Sequence, residues 1–408
     1  MIPYFLMAIL YLSLAVLAAL ESSFSGLQIV PWFNGMVWLR VHLITLGVMT
    51  QILFALMPML TAIRYRQPKP SIRWDIWLAL NGGIMTLLVG IPLVSKVPIF
   101  IGGTLVFIAV ILLIHQLSRM KPSTQVENEV QGSHQGRKFY IAGLAYFLAG
   151  ITVGTGLWIG WMGPLGVQDT MGAHIHSNSW GLMSLVFTGL LVDMYAVWTK
   201  RPFANPQSIT PIFWLMTLGA FGLIFGPWFD TLYLTVPGLV MHVVSTFWLL
   251  HNIVKPLRGD KAAWTHGMRH IVLSYIWFVG PLLFAPLILL DVPGVPGAKI
   301  EAAGPQIMVY GFLLQFGFAV IPYFFSRIFL PEQEAKLGGS WFTVTVMNLG
   351  AALPWFAVLI TPLDHLYGTL FGISYLLWAI ATVPIAITLW RTIQTGLARF
   401  ENNAVQAL

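Results

Sequence analysis

Residues 172–191 read GAHIHSNSWGLMSLVFTGLL. Twenty residues pass without a formal charge, which is long enough to cross the hydrocarbon core of a bilayer as one helix. Two histidines stand inside the run. His174 and His176 form an H-x-H pair, and Gly181 follows five residues after the second. The stretch predicts a membrane-spanning helix that carries its own polar chemistry.

Runs of the same kind recur along the whole chain. Apolar segments near 2–20, 37–62, 74–94, 97–118, 138–160, 172–198, 209–229, 231–254, 270–291, 304–329, 340–361 and 365–392 predict about twelve transmembrane helices. The fold class is an all-α integral membrane protein, with 1–408 as a single membrane domain. Composition agrees, because 57% of the 408 residues are hydrophobic and only 9% are charged, against roughly a quarter charged in a soluble domain. The one long polar linker, 119–138, predicts a loop. The first run, Ile2 to Leu20, has no basic residue before it and no small-residue cleavage site, so it reads as a retained helix.

Lysine and arginine set the expected orientation. With the N-terminus inside, all but three of the 21 basic residues fall in cytoplasmic loops or at the C-terminal end. The exceptions are Arg40, Lys96 and Lys299. That asymmetry predicts both termini on the cytoplasmic side; the expected location is a bacterial or archaeal cytoplasmic membrane. Trp32, Trp38, Trp161, Trp228 and Trp341 lie near span ends, where interfacial anchors belong. The net charge of +7 is dispersed among short loops, so the partner it implies is the lipid bilayer and not a nucleic acid. Cysteine is absent. Disulfides, thiolate metal sites, iron–sulfur clusters and covalent c-type haem attachment are thereby excluded.

A period near 135 residues runs through the pattern. The second span reads RVHLITLGVMTQILFALMP over 40–58, and the tenth reads PQIMVYGFLLQFGFAVIP over 305–322. His42, His176 and Gln306 are each followed five residues later by glycine: Gly47, Gly181 and Gly311. The steps between these anchors are 134 and 130 residues. His115, His251 and Arg391 keep a similar step at the ends of spans four, eight and twelve. The expected organisation is three pseudo-symmetric four-helix arcs, with pseudo-repeats about 1–120, 138–255 and 270–395.

Ionisable residues within spans tend to mark function. Asp193 is the one carboxylate well inside a predicted span, so histidines are the polar resource. His134 reads as a loop residue, and His266 and His270 as interfacial neighbours of Lys261 and Arg269. His115 and His251 suit helix C-termini, and His365, following Asp364 at the outer start of the twelfth span, suits a cap neighbour. His42, His174, His176 and His242 remain, all in the outer half under the expected orientation, and they are the candidate metal ligands. Positions i and i+2 differ by about 200° around a helix, so His174 and His176 are expected to serve two centres on opposite sides. The bland reading of all four is hydrogen bonding between helices. Asn178 and Gln306 are candidate acceptors for the second nitrogen of a ligating imidazole.

GAHIHSNSWGLMSLVFTGLL and RVHLITLGVMTQILFALMP resemble the ligand-bearing helices of haem–copper oxidase and nitric oxide reductase catalytic subunits, and the twelve-span plan is similar over the whole chain. The chain is also similar to the NnrS-type haem and copper membrane proteins. The resemblance implies haem b held by His42, His174 or His176, with copper a further cofactor. In one arrangement His42 and His176 would share one haem and His174 would face a second haem or a copper; in the other, by pseudo-symmetry, His42 would be the distal, copper-side residue. It implies electron transfer, or binding and reduction of a diatomic gas such as NO or O2, with a protein or quinol as electron donor. An enzyme of this kind would be an oxidoreductase. Homo- or hetero-oligomers are left open. The departures are specific. In the oxidases the H-x-H pair lies on the tenth helix, whereas here it lies on the sixth. The adjacent histidine pair for an active-site copper and the proton-channel carboxylates have no counterparts, so proton pumping is not expected.

Two other classes compete. A transporter or metal carrier without haem would use interrupted helices, suggested by Asn81-Gly82-Gly83 and Pro354. An assembly or anchoring subunit without cofactors would fit Gln306 in place of histidine.

Overall fold

The computed structural model describes residues 1–29, 37–122, 135–360 and 365–406. The readings of Trp32 as an anchor and of His134 as a loop residue lie outside them. Helix accounts for 82% of the structure, and the described residues contain no strand. The helices are α1 (Ile2–Gly26), α2 (Trp38–Arg64), α3 (Trp74–Gly90), α4 (Lys96–Arg119), α5 (Gln135–Ile159), α6 (Thr170–Thr199), α7 (Ile209–Phe229), α8 (Leu232–Val254), α9 (His266–Leu289), α10 (Gly297–Phe329), α11 (Trp341–Leu359) and α12 (Tyr367–Gln406).

Eleven of these are long and apolar enough to cross a membrane, so the chain is a helical membrane protein built for a bilayer environment. The span expected over 74–94 is corrected. It is the 17-residue α3, shorter than the other eleven. Gly90 ends it because Pro92 brings no amide proton to the next turn and Val94 takes a left-handed φ of 49°. The helices also run past some expected limits. α1 reaches Gly26 and α10 begins at Gly297, which brings Glu21 and Glu301 into helix. α12 continues to Gln406, so Arg391 does not close it.

The interruptions expected at Asn81-Gly82-Gly83 and Pro354 are also corrected. α3 runs unbroken through the first, and α11 through the second. Asn81 donates to the Trp77 carbonyl of its own helix at 2.9 Å. Gly83 is a packing position, where an added Cβ would stand 2.8 Å from the Gly102 carbonyl of α4. Prolines inside helices are tolerated in membrane proteins because neighbours satisfy the freed carbonyls.

Three helices differ from the rest. In α2, α6 and α10 a seven-residue π-helical segment interrupts the α-helix, at Leu43–Met49, Ser177–Met183 and Met308–Leu314. The segments begin 134 and then 131 residues apart. Each contains a glycine under an aromatic ring of another helix. A Cβ on Gly47 would meet Tyr11 of α1 at 2.8 Å, one on Gly181 Tyr146 of α5 at 2.4 Å, and one on Gly311 Trp277 of α9 at 2.8 Å. These three helices are also the most buried. Their most apolar windows are 89%, 83% and 100% covered, against 33–56% in the other eight long helices.

The chain divides into two compact units, one over Leu53–Arg258 and the other over Ile2–Ile52 and Gly259–Leu408, with Met1 assigned to the first. In the first unit α7 and α8 pack glycine on glycine, the Cβ position of Gly222 lying 2.7 Å from the Gly238 Cα. Small residues allow such backbone approach where lipid offers no hydrophobic drive. In the second unit α11 and α12 are tied by Ser374, whose hydroxyl donates to the Gly350 carbonyl at 2.5 Å.

Candidate functional site

Three of the four candidate histidines lie in the first unit, His174 and His176 on α6 and His242 on α8; His42 lies in the second. Asp169 starts α6 by accepting from the Gly172 amide at 2.8 Å, a cap that satisfies one orphan donor of the first turn. The H-x-H pair then occupies the last residues before the π segment.

The two rings diverge, as positions i and i+2 of a helix require. His174 turns to α5, where its Nδ1 lies 2.9 Å from the Gly150 carbonyl oxygen. Gly154 makes room for it, because a Cβ there would stand 2.6 Å from His174 Cε1. His176 turns to α7, where its Nδ1 lies 2.6 Å from the Leu223 carbonyl oxygen. A carbonyl can only accept, so both Nδ1 atoms carry the proton, and in the neutral ring the lone pair is on Nε2. Both rings remain partly accessible.

His42 is prepared in the same way within its own unit. Its Nδ1 donates to the Trp38 carbonyl at 2.9 Å, and its ring stacks on Trp38 at 4.4 Å and 8°. It is the last residue before the first π segment, as His176 is before the second. π segments inside α-helices are frequent at functional sites.

His242 is different. It is fully buried, and both ring nitrogens are engaged. Nε2 donates to the Trp180 carbonyl at 3.3 Å and to Ser184 Oγ at 3.2 Å, while Nδ1 accepts from the Thr246 hydroxyl at 3.3 Å. This geometry ties α8 to α6 and leaves no nitrogen prepared for a metal. The Trp180 ring lies beside both His176 and His242, with centroids 6.3 and 5.5 Å away.

The expected acceptors need correction. Asn178 does not receive an imidazole proton; its Nδ2 donates to the His174 carbonyl of its own helix at 2.8 Å. Gln306 keeps a buried Oε1 with no hydrogen-bond partner. Backbone carbonyls of Trp38, Gly150 and Leu223 do this work instead. The reading of His270 as interfacial also fails. His270 is fully buried on α9, with Nε2 2.9 Å from Thr343 Oγ1. The residues missed in sequence were Gly150 and Gly154. Their four-residue spacing is the signal, but it is one that many membrane helices carry.

Asp193 lies far along α6 from the histidines. It is buried, accepts from the Tyr140 hydroxyl at 2.7 Å and pairs with Arg64 Nε at 3.3 Å.

Among the described residues no group of three or more histidine, aspartate or glutamate side chains could hold a metal ion. Imidazole Nε2 is an atom through which histidine can hold haem iron, so His42, His174 and His176 are the residues that could hold such a group. Neither a protein-family model nor a curated protein sequence matches the chain.

Proposed function

We propose that this chain is a membrane haem protein, distantly related to the haem–copper oxidases and nitric oxide reductases, that transfers electrons or binds and reduces a diatomic gas. One observation carries the reading: His176, within a helix otherwise given over to membrane burial, donates Nδ1–H to the Leu223 carbonyl. An imidazole that ligates a metal commonly donates its other nitrogen in this way, which fixes its tautomer and raises its basicity.

His176 is the first axial ligand in this reading. His42 and His174 are further residues that would hold haem, each with its proton on Nδ1. When bound, haem would supply the redox couple and the iron for gas chemistry. The protein orients the imidazoles, fixes their protons on Nδ1 and keeps the surroundings apolar. Copper, if present, would take His174. The electron donor is a protein or a quinol. His242 has no ligand role here; it holds Ser184 and Thr246 together.

The recurrence of π segments, ring-covered glycines and histidine positions supports three copies of a four-helix unit. Gln306 then stands where the third copy lost its histidine. Basic-residue asymmetry supports termini on the cytoplasmic side, with the histidines in the outer half.

The test is haem stoichiometry of the purified protein from haem-replete cells, measured as the pyridine haemochrome. At least one haem b per chain is expected. A colourless protein overturns the reading and moves the assignment to a carrier or a cofactor-free subunit.

A further inference from the structure

The 17 residues of α3 make a helix about 25 Å long. The hydrocarbon core of a bilayer is about 30 Å thick, and the whole bilayer about 40–45 Å with its headgroups. The first turn of α3 stands in a polar setting, where Arg73 Nε donates to the Asp75 carboxylate at 2.9 Å and Trp74 is exposed as an interfacial anchor. The other end, the turn over 91–95 that leads into α4, therefore stops short of the water beyond the far headgroups.

That turn is closed without help from water. The Ser95 amide donates to the Gly90 carbonyl at 2.9 Å, and the Val94 amide to the Ile91 carbonyl at 3.0 Å. These are the paired bonds of a Schellman cap. The Ile91 amide is held by the Leu87 carbonyl at 3.0 Å and the Ile99 amide by the Ser95 carbonyl at 3.3 Å. Pro92 and Pro98 bring no amide proton at all. Backbone groups satisfied from within are what a non-aqueous setting demands.

The side chains are chosen against the usual rule. The left-handed residue of such a cap is most often glycine, and a β-branched residue with positive φ is an outlier. Among the described residues, Gln28, Arg66, Lys200, Asp230 and Asp291 are non-glycine residues with positive φ, and all are polar or charged. Val94, at 49°, is the apolar exception. Its side chain is 68% exposed, and Leu93 beside it is 70% exposed. They continue the exposed apolar surface of Val89 on α3 and Val97 and Phe100 on α4. The one charge between these residues is Lys96, which is exposed and long enough to lift its ammonium group to headgroup level.

We infer that the α3–α4 turn is a lipid-binding surface: it lies inside the membrane, at the end of α3 opposite the basic segment 64–73, with Leu93 and Val94 against lipid chains. The occupant is lipid because α3 is too short to carry the turn into water, the backbone is closed on itself, and the left-handed position holds valine. The inference is independent of the haem reading.

The chain contains no cysteine, so a single cysteine carrying a nitroxide reports one place in the whole protein. Leu93→Cys is the test position. Leu78→Cys, on the exposed face of α3, is the lipid reference, and Glu334→Cys, 80% exposed, is the water reference. In proteoliposomes, collisions with a water-soluble nickel chelate should be at least about fivefold rarer at Leu93 than at Glu334, because the bilayer interior holds no water. Collisions with oxygen, which concentrates in lipid, should exceed those with nickel at Leu93, as at Leu78. Val97→Cys repeats the measurement if Leu93→Cys fails to fold, as judged by its melting curve. Nickel collisions at Leu93 as frequent as at Glu334 overturn the inference. Rare collisions with both reagents also overturn it, because protein, a second copy or another chain, then covers the turn in place of lipid.

Discussion

The Nδ1 atom of His176 stands 2.6 Å from the carbonyl oxygen of Leu223, one helix away. The backbone of α7 therefore decides which nitrogen of the ring carries the proton. His174 has the same relation to Gly150 of α5. The H-x-H pair is thus oriented by two different neighbours, and each ring is governed by its own.

Gly154 should control His174 without touching the ring's chemistry. Gly154→Ala puts a methyl group 2.6 Å from His174 Cε1, so the imidazole must move. The loss of stability should be about 1–3 kcal/mol, as for other overpacked sites. Electron paramagnetic resonance of the oxidised protein should change as it does in His174→Ala. An unchanged spectrum in Gly154→Ala beside a changed one in His174→Ala would show that the contact does not position the ring.

The π segments predict a shared weakness. Gly47→Ala, Gly181→Ala and Gly311→Ala each drive a Cβ into the Cβ and first ring carbon of Tyr11, Tyr146 or Trp277. All three should lower the melting temperature, each by an amount equivalent to roughly 1–3 kcal/mol. Pairing Gly181→Ala with Tyr146→Gly should restore part of the loss, because the Tyr146 Cβ that the new methyl group meets is removed. If the double variant is as unstable as the sum of the two singles, the Tyr146 side chain is not the cause.

Asp193 predicts stability without chemistry. Asp193→Asn removes the charge opposite Arg64 and keeps an acceptor for Tyr140. Breaking a buried pair costs roughly 3–5 kcal/mol. Arg64 retains 33% exposure, so solvent screening should bring the loss to the lower end or beneath it. Haem content should stay at the wild-type level. Loss of haem in a folded Asp193→Asn protein would link the carboxylate to the site.

Much of this was legible in sequence for definite reasons. The charge-free run of 172–191 had to be a buried helix, and α6 is one. The steps between His42, His176 and Gln306 coincide with the places where three helices change their winding, although no sequence rule announced π geometry. α3 was overread because apolar residues continue to Val94 while Pro92 stops the helix. His270 was misread because Lys261 and Arg269 are near it in the chain; α9 begins at His266, capped by Thr265, and turns His270 inward to Thr343. The acceptors for the imidazoles could not be read, since every residue has a carbonyl. The glycines that let α5 approach were visible, but not what they would face.

The most direct measurement is the dithionite-reduced minus oxidised absorption spectrum of wild type, His176→Ala and His242→Ala, each checked for folding by its melting curve. The wild type should show a shifting Soret band and a reduced α-band. His176→Ala should lose or alter both, because its iron ligand is gone. His242→Ala should keep the wild-type spectrum, with only a stability loss of about 1–3 kcal/mol from broken buried hydrogen bonds. A folded His176→Ala protein with the wild-type spectrum, or a wild type with no Soret band, would contradict the account.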